Sequence, residues 1–203
     1  MKIFCIGRNY AEHAAELGNK VPGKPMIFMK PSTSLLINNN PLYYPAFTSD
    51  LHYEVEVVLK ICKNGRHVQK EFADSYYEEI GLGIDFTARD VQSECKEKGH
   101  PWEIAKAFDH SALLSKELIH KSKLDLDELL FSLKKNDELV QSGNTKDLIF
   151  NFNTLVCYIS TIFTLKNGDY IYTGTPAGVG SLQIGDNLEG FINNRSMFIC
   201  KIK

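Results

Sequence analysis

The stretch His52-Tyr53-Glu54-Val55-Glu56-Val57-Val58-Leu59-Lys60-Ile61 decides the fold. Apolar residues occupy every second position over residues 53–61, which is the period of a β-strand with one face buried. Because side chains two positions apart on a strand point the same way, Glu54 and Glu56 share one face. Two alternatives stay open for this pair. Either its face lies in water, or the two carboxylates bind one divalent cation.

Short elements surround this strand on both sides. We predict further strands over residues 2–6, 26–29, 81–86 and 170–173, and helices over residues 9–17, 72–79, 88–98 and 153–163. Thr87 is the expected N-cap of the helix over 88–98, and Gly99 is its expected end. Asn136-Asp137 predicts a hairpin between residues 129–134 and 138–142, and Asn193-Asn194 predicts a turn between two strands of residues 186–203. Many short strands with few helices favour a mainly β, mixed α/β fold.

Composition and charge limit the possible functions. The 203 residues are 43% hydrophobic, with 23 Lys+Arg against 25 Asp+Glu and a net charge of −2. This balance argues against nucleic acid as a partner, since nucleic-acid binding needs a basic surface. No apolar run approaches the ~20 residues of a membrane span, so no membrane partner is expected. No linker or repeat divides the chain, and residues 1–203 are predicted to form a single domain.

The five cysteines and the N-terminal sequence predict a cytoplasmic protein. The cysteines are scattered, odd in number and free of C-x-x-C spacing, which argues against a zinc ribbon and against a disulfide framework. They are interpreted as reduced thiols. The first residues have too short an apolar stretch for a signal peptide and too few Arg and Ser for a transit peptide.

A third carboxylate strengthens the metal hypothesis. Asp85 lies in the apolar strand end Gly83-Ile84-Asp85-Phe86, where an unpaired carboxylate would be costly. Three carboxylates without Cys or His ligands favour Mg²⁺ or Mn²⁺ over Zn²⁺. Such a set leaves about half of an octahedral shell for water or substrate, which is typical of a catalytic site.

Candidate catalytic and anion-binding residues occur elsewhere in the chain. His13 and Glu16 are spaced i and i+3 on a short predicted helix, so the carboxylate could orient the imidazole as a general base. The alternative is an exposed helix pair. Three carboxylates overcompensate a divalent ion, so an anionic substrate needs nearby cations. Four basic residues next to apolar strand ends are candidates, although each alone could be a solvated charge: Arg8, Lys30, Arg89 and Lys106.

Six segments, in order, resemble motifs of the fumarylacetoacetate hydrolase family, and they cover nearly the whole chain. They are Gly7-Arg8-Asn9-Tyr10 through His13, Phe28-Met29-Lys30-Pro31-Ser32, His52-Tyr53-Glu54-Val55-Glu56, Asp85-Phe86-Thr87-Ala88-Arg89-Asp90-Val91-Gln92, Lys98-Gly99-His100-Pro101-Trp102 with Ala105-Lys106-Ala107-Phe108-Asp109, and Thr173-Gly174-Thr175-Pro176 with Gly178-Val179-Gly180. The resemblance is strongest to the short, single-domain branch that contains acylpyruvate hydrolases and oxaloacetate decarboxylases.

The resemblance implies a fold, a cofactor and roles for particular residues. The fold is a β-roll of mixed sheets with short helices, like the C-terminal domain of fumarylacetoacetate hydrolase, and the assembly is usually a homodimer. The cofactor is Mg²⁺ or Mn²⁺. The implied roles are metal ligation by Glu54, Glu56 and Asp85, catalysis by His13, Glu16 and Lys106, and substrate binding by Arg8, Lys30, Arg89, Gln92 and Thr175.

The expected activity is hydrolytic cleavage of a C–C bond in a small 2-oxo acid, namely a 2,4-dioxo acid such as acetylpyruvate or fumarylpyruvate. The alternatives are decarboxylation or tautomerisation of oxaloacetate, and isomerisation of 2-hydroxyhepta-2,4-diene-1,7-dioate. A small-acid binding protein with a degenerate site is the non-enzymatic alternative. The complete set of Glu54, Glu56 and Asp85 argues against that last interpretation.

Overall fold

A computed structural model describes residues 1–16, 18 and 21–203. The strands of this part of the chain are β1 (Ile3–Gly7), β2 (Met26–Lys30), β3 (Leu35–Leu36), β4 (Leu51–Tyr53), β5 (Val55–Ile61), β6 (Tyr77–Asp85), β7 (Thr87–Ala88), β8 (Ala112–Leu114), β9 (Ile119–His120), β10 (Leu130–Lys135), β11 (Glu138–Asn144), β12 (Tyr170–Tyr172), β13 (Gly180–Ser181), β14 (Asn187–Ile192) and β15 (Arg195–Lys201). The α-helices are α1 (Ala11–Glu16), α2 (Arg89–Lys98), α3 (Glu103–Lys106) and α4 (Phe152–Ile162). Short 3-10 segments are formed by Ser32–Ser34, Lys70–Tyr76, Lys121–Lys123 and Thr145–Asp147.

The strands form three sheets. An 8-stranded sheet runs in the order β2-β1-β12-β5-β6-β8-β3, with β9 paired to β6. A 4-stranded sheet runs β11-β10-β14-β15, and a 3-stranded sheet runs β13-β4-β7. The pairs β1/β12 and β3/β8 are parallel, whereas the other neighbours are antiparallel. The predicted mainly β, mixed α/β fold is therefore confirmed.

Strand β5 lies in the middle of the large sheet and is covered on both faces. Val55, Val57 and Leu59 belong to the main core, whereas Val58 packs in a second apolar cluster on the other side. Because both faces of the strand are buried, the alternative in which the face of Glu54 and Glu56 lies in water was wrong. The predicted strand over 53–61 is also interrupted, since Glu54 separates β4 from β5.

Two local predictions were wrong. Residues 72–79 do not form one helix, because the 3-10 segment Lys70–Tyr76 ends where β6 begins its ladder with β5. Backbone pairing in the core outweighs the weak helical preference of this segment. Thr87 does not cap α2, whose N-cap is Ala88 without a side-chain hydrogen bond. The Thr87 hydroxyl instead donates to the Glu54 carboxylate at 3.1 Å.

Other local predictions were confirmed. Asn136 and Asp137 both adopt positive φ between β10 and β11, and β14 and β15 form the predicted C-terminal pair. Gly99 ends α2 with φ +67°. Helix α1 covers most of the predicted range 9–17, of which Leu17 lies outside the described residues. The five cysteines are free thiols.

Within the described ranges, no helix is long and apolar enough to cross a membrane.

Candidate metal centre and active site

The register of the β5/β6 ladder brings the three carboxylates together. Val55 pairs with Ile84, so Asp85 lies directly across from Glu54, and the Asp85 amide donates to the Glu54 carbonyl at 2.9 Å. Glu56, two residues along the same face, completes the set. One oxygen from each carboxylate lies within 4.8 Å of the others, and all three residues are buried. The long-range pairing of two strands thus builds the cluster.

Cationic side chains offset this concentration of negative charge. The Lys106 ammonium donates to Glu54 Oε2 at 2.9 Å and to Asp85 Oδ2 at 2.8 Å. The Arg89 guanidinium donates to Glu54 Oε1 at 2.6 Å and is held by Gln92 Oε1 at 2.7 Å. Like charges opposite each other on paired strands are destabilising, so these cations hold the apposed carboxylates in place. The alternative that Lys106 is a solvated charge was therefore wrong, since the residue is buried.

The environment shifts the pKa values of the two glutamates in opposite directions. Burial alone would raise the pKa of Glu54, but the charges of Lys106 and Arg89 outweigh it and hold the value well below normal. Burial and the neighbouring Asp85 raise the pKa of Glu56 well above its usual range, despite the hydrogen bond from the Gly174 amide. Binding of a cation to Glu56 therefore competes with a proton.

The donor set fits a hard divalent cation. Asp85 Oδ1 is buried and takes part in no hydrogen bond of good geometry; its contact is the Lys30 ammonium, an ion pair at 2.7 Å. Lys30 directs its N–H groups to the backbone carbonyls of Phe86, Lys106 and Ser111. An oxygen held by charge and not by a directed hydrogen bond, beside two further buried carboxylates, is a ligand arrangement that suits Mg²⁺ or Mn²⁺.

The loop after β12 holds Glu56 through its backbone. Gly174 donates its amide hydrogen to Glu56 Oε2 at 2.7 Å and has φ +104°. A Cβ at this position would lie 2.6 Å from Cβ of Asn9, so glycine is required. Asn9 itself is fully buried and donates to the Thr173 carbonyl at 2.8 Å. The first and the last motif of the chain are therefore one connected structure.

His13 and Glu16 connect α1 to the same loop. His13 is buried, and its Nδ1 lies 3.2 Å from Glu16 Oε2. Glu16 also accepts the Gly178 amide hydrogen at 3.1 Å. Gly178 has φ +96°, and a Cβ there would lie 2.4 Å from the Val140 carbonyl oxygen. Because Nδ1 is held by Glu16, the second ring nitrogen, Nε2, is the one that can contact another group.

A single cavity joins the carboxylates to most of the other predicted residues. Its wall includes Glu54, Glu56 and Asp85. The predicted catalytic and substrate-binding residues in the wall are Arg8, His13, Arg89, Gln92, Lys106 and Thr175. Glu16 lies behind His13. Lys30 lies behind Asp85 and is not part of the wall, so the structure places it as a support for the carboxylate and for three backbone carbonyls.

Sequence reasoning missed several residues of this site. Lys96 and Trp102 line the cavity, and the signal for Lys96 was its helical spacing, four residues after Gln92 and seven after Arg89. Gln141 is buried behind the wall, where it accepts the Val55 amide hydrogen at 2.9 Å and donates to Thr175 Oγ1 at 2.9 Å. In the sequence it is one polar residue of a hairpin strand, and nothing local marks it.

Comparisons with known proteins identify the family. The family model described as Fumarylacetoacetate (FAA) hydrolase C-terminal matches residues 2–202. The chain belongs to the fumarylacetoacetate hydrolase family. It is 41% identical over 202 residues to the mitochondrial oxaloacetate tautomerase FAHD1 of Homo sapiens, covering 99% of this chain and 91% of that protein. It is also 41% identical to the mitochondrial oxaloacetate decarboxylase of Dictyostelium discoideum, covering 91% of this chain and 85% of that protein.

Among solved structures, the chain is similar to fumarylpyruvate hydrolase from Pseudomonas aeruginosa in complex with Mn²⁺ and pyruvate. The TM-score is 0.94 with 34% sequence identity, over 100% of this chain and 89% of that chain. These relatives are enzymes with different reactions on small oxo acids. The expected family and the β-roll architecture are thereby confirmed, and the choice of reaction is taken up below.

Proposed function

We propose that this protein is a divalent-metal-dependent hydrolase that cleaves a C–C bond in small 2,4-dioxo acids. The observation that carries the proposal is the single cavity that combines a buried carboxylate triad with a carboxylate-oriented histidine. A degenerate binding site would not need both features. The Mn²⁺ and pyruvate complex of the similar fumarylpyruvate hydrolase supports this class of chemistry.

Glu54, Glu56 and Asp85 would hold one Mg²⁺ or Mn²⁺ ion. When bound, the ion would supply Lewis-acid stabilisation of the negative charge that develops on the substrate oxygens. Lys30 would support Asp85 and not contact the substrate directly, because its ammonium is already held by the carboxylate and by backbone carbonyls. Lys106 and Arg89 keep Glu54 ionised.

His13 is the proposed general base. Glu16 holds Nδ1, so Nε2 takes a proton from water, and the resulting hydroxide attacks the C4 carbonyl carbon. The C3–C4 bond then breaks, its electron pair passes to C3, and the products are a carboxylic acid and the enolate of pyruvate. The imidazolium of His13 then gives its proton to C3, which yields pyruvate and restores the neutral base. General-base assistance of this kind contributes about 10²–10⁴-fold to a rate.

Other residues of the cavity would position the substrate. Gln92 and Arg89 are adjacent on α2, and Gln92 fixes the guanidinium by accepting from Nη1 at 2.7 Å. Thr175 is fixed from behind by Gln141, whose amide donates to its oxygen. Because Thr175 keeps its hydroxyl hydrogen, it can donate to a substrate carboxylate. Arg8 supplies a further positive charge at the wall of the cavity.

Oxaloacetate tautomerisation or decarboxylation is the second candidate, and the relatives favour it. The human and Dictyostelium proteins carry those activities in their names at 41% identity. The same cavity suits either reaction because each develops negative charge on the oxygen at C2 of a 2-oxo acid. A homodimeric assembly and a cytoplasmic location stay predictions from the sequence.

The deciding experiment is a turnover panel. The purified protein, loaded with Mg²⁺ or Mn²⁺, is assayed with acetylpyruvate, fumarylpyruvate and oxaloacetate, and pyruvate release and loss of the enol absorbance are followed. We expect hydrolysis of at least one 2,4-dioxo acid that EDTA abolishes and added metal restores. Glu56→Gln is the matched inactive control. Turnover of oxaloacetate alone would replace hydrolysis by the second candidate.

A further inference from the structure

Two cations of the cavity, Arg8 and Lys96, have no carboxylate partner among the described residues. Lys106 and Arg89 are paired to Glu54. In the described part of the chain, by contrast, no ion pair or side-chain hydrogen bond involves Arg8 or Lys96, which line the same cavity. These two charges are therefore available to a ligand.

The backbone and helix geometry aim both residues at the cavity. Arg8 follows β1 with φ +59°, a left-handed conformation that non-glycine residues adopt rarely and at a cost. Such strain concentrates at functional sites. Lys96 shares one face of α2 with Arg89 and Gln92, and its ammonium lies 5.5 Å from the centre of the Trp102 ring. This cation–π contact places the ammonium beside Trp102, which lines the same cavity.

The four cations form a gradient from the floor of the cavity to its mouth. Lys106 is buried, Arg89 and Arg8 are half-buried, and Lys96 is the most exposed of the four. Partial burial and the positive charges of Arg89, Arg8 and Lys106 lower the pKa of Lys96, so an anion placed among them is favoured. Three carboxylates face four cations. With a divalent ion bound to the carboxylates, the net charge of these groups is more positive than one substrate carboxylate can neutralise.

We propose that Arg8 and Lys96 form a distal anion subsite, which takes the second carboxylate of a dicarboxylic 2-oxo acid and makes Lys96 a specificity-determining residue. This subsite rests on the proposed binding of a 2-oxo acid at the metal end of the cavity. The inner end takes the 1-carboxylate and the 2-oxo group, and the outer end takes the distal carboxylate. Monocarboxylic acylpyruvates would leave the outer cations unpaired.

Binding by matched probes tests the subsite. Calorimetry on the Mn²⁺-loaded protein compares 2-oxoglutarate with 2-oxopentanoate, and 2-oxoadipate with 2-oxohexanoate, since each pair differs only in the distal carboxylate. We expect the dicarboxylate to bind at least about tenfold more tightly at one of the two lengths, the range of one charge-assisted hydrogen bond. The preference falls as NaCl is raised, because exposed charges are screened.

Substitutions then test which residue causes the preference for dicarboxylates. Lys96→Gln is expected to reduce the dicarboxylate preference by about tenfold, and Arg8→Gln tests the second cation if the first variant folds poorly. The matched control is Lys98→Met, which removes a lysine from the same helix. The ion pair of Lys98 with Glu94, at 2.6 Å, is exposed. It should leave the preference unchanged.

The outcomes separate the subsite from the function. Equal binding of dicarboxylates and monocarboxylates at both lengths, or tighter binding of the monocarboxylates, overturns the subsite while the proposed function stands. An unchanged preference in both Lys96→Gln and Arg8→Gln also overturns it. If pyruvate and all four probes fail to bind the Mn²⁺-loaded protein, the proposed function falls and the subsite falls with it.

Discussion

Replacing Lys106 by methionine tests how the carboxylate cluster is held together. The ammonium contacts Glu54 Oε2 at 2.9 Å and Asp85 Oδ2 at 2.8 Å, and the lysine side chain is only 4% exposed. Removing one partner of a buried ion pair typically costs about 3–5 kcal/mol. Lys30 and Arg89 remain beside the cluster, so we expect the lower end, about 3 kcal/mol.

The measurement is thermal unfolding at pH 7 without added metal. For a chain of this size, about 3 kcal/mol lowers Tm by about 6–12 °C. The matched control is Lys98→Met, which breaks the exposed Lys98–Glu94 pair at 2.6 Å; pairs of that kind contribute about 0–1 kcal/mol. Saturating Mn²⁺ should return part of the loss in Lys106→Met by supplying positive charge to the same oxygens. Turnover should still fall about 10²–10³-fold.

The pH dependence of the same variant has a defined sign. Lys106 and Arg89 depress the pKa of Glu54 below its ordinary value of 4.5, so the wild-type stability from this pairing is present above that value and is lost as pH falls further. The difference between wild type and Lys106→Met should thus be greatest at neutral pH and shrink below about pH 4.5. A Tm difference under about 2 °C at pH 7, or one that grows in acid, would refute the reasoning.

Three further predictions concern the metal, the base and the closing loop. Because the pKa of Glu56 is raised, the affinity for Mn²⁺ measured by calorimetry should increase with pH above pH 4.5. The affinity should be weaker in Glu56→Gln. An affinity that does not depend on pH would contradict this reasoning. His13→Ala should lower 2,4-dioxo acid hydrolysis about 10²-fold or more in steady-state assays while Mn²⁺ affinity is retained, and unchanged turnover would remove His13 as the base. Gly174→Ala should lower the unfolding free energy by more than about 1 kcal/mol, because φ is +104° and the new Cβ would meet Asn9. Gly23→Ala, where a Cβ meets nothing within 4 Å, is its control, and equal Tm changes in the two variants would count against the steric argument.

Local signals in the sequence were enough to find the pieces of the site. The spacing of Glu54 and Glu56, the acidic residue inside an apolar strand end and the i, i+3 pair His13/Glu16 are all visible without tertiary structure. The structure brings Glu54, Glu56, Asp85 and His13 to the wall of one cavity, and Glu16 supports His13 from behind. Two expectations were wrong for the same reason. One was that the Glu54/Glu56 face of the strand could lie in water, and the other was a helix over residues 72–79. Periodicity describes a segment in isolation, whereas strand pairing and the second covering layer decide burial and helix formation.

The sequence by itself determined the mainly β fold, the family and the chemical types of the site residues, because these depend on residue identity and on short spacings. Only the tertiary structure decided which side chains share one space. The β5/β6 register sets Asp85 across from Glu54, Lys106 bridges both carboxylates, and Lys30 lies behind the cluster. Residues separated by tens of positions meet through sheet pairing and core packing, and their charges then act over a few ångströms in a buried setting. No local pattern in the sequence specifies these distances between side chains.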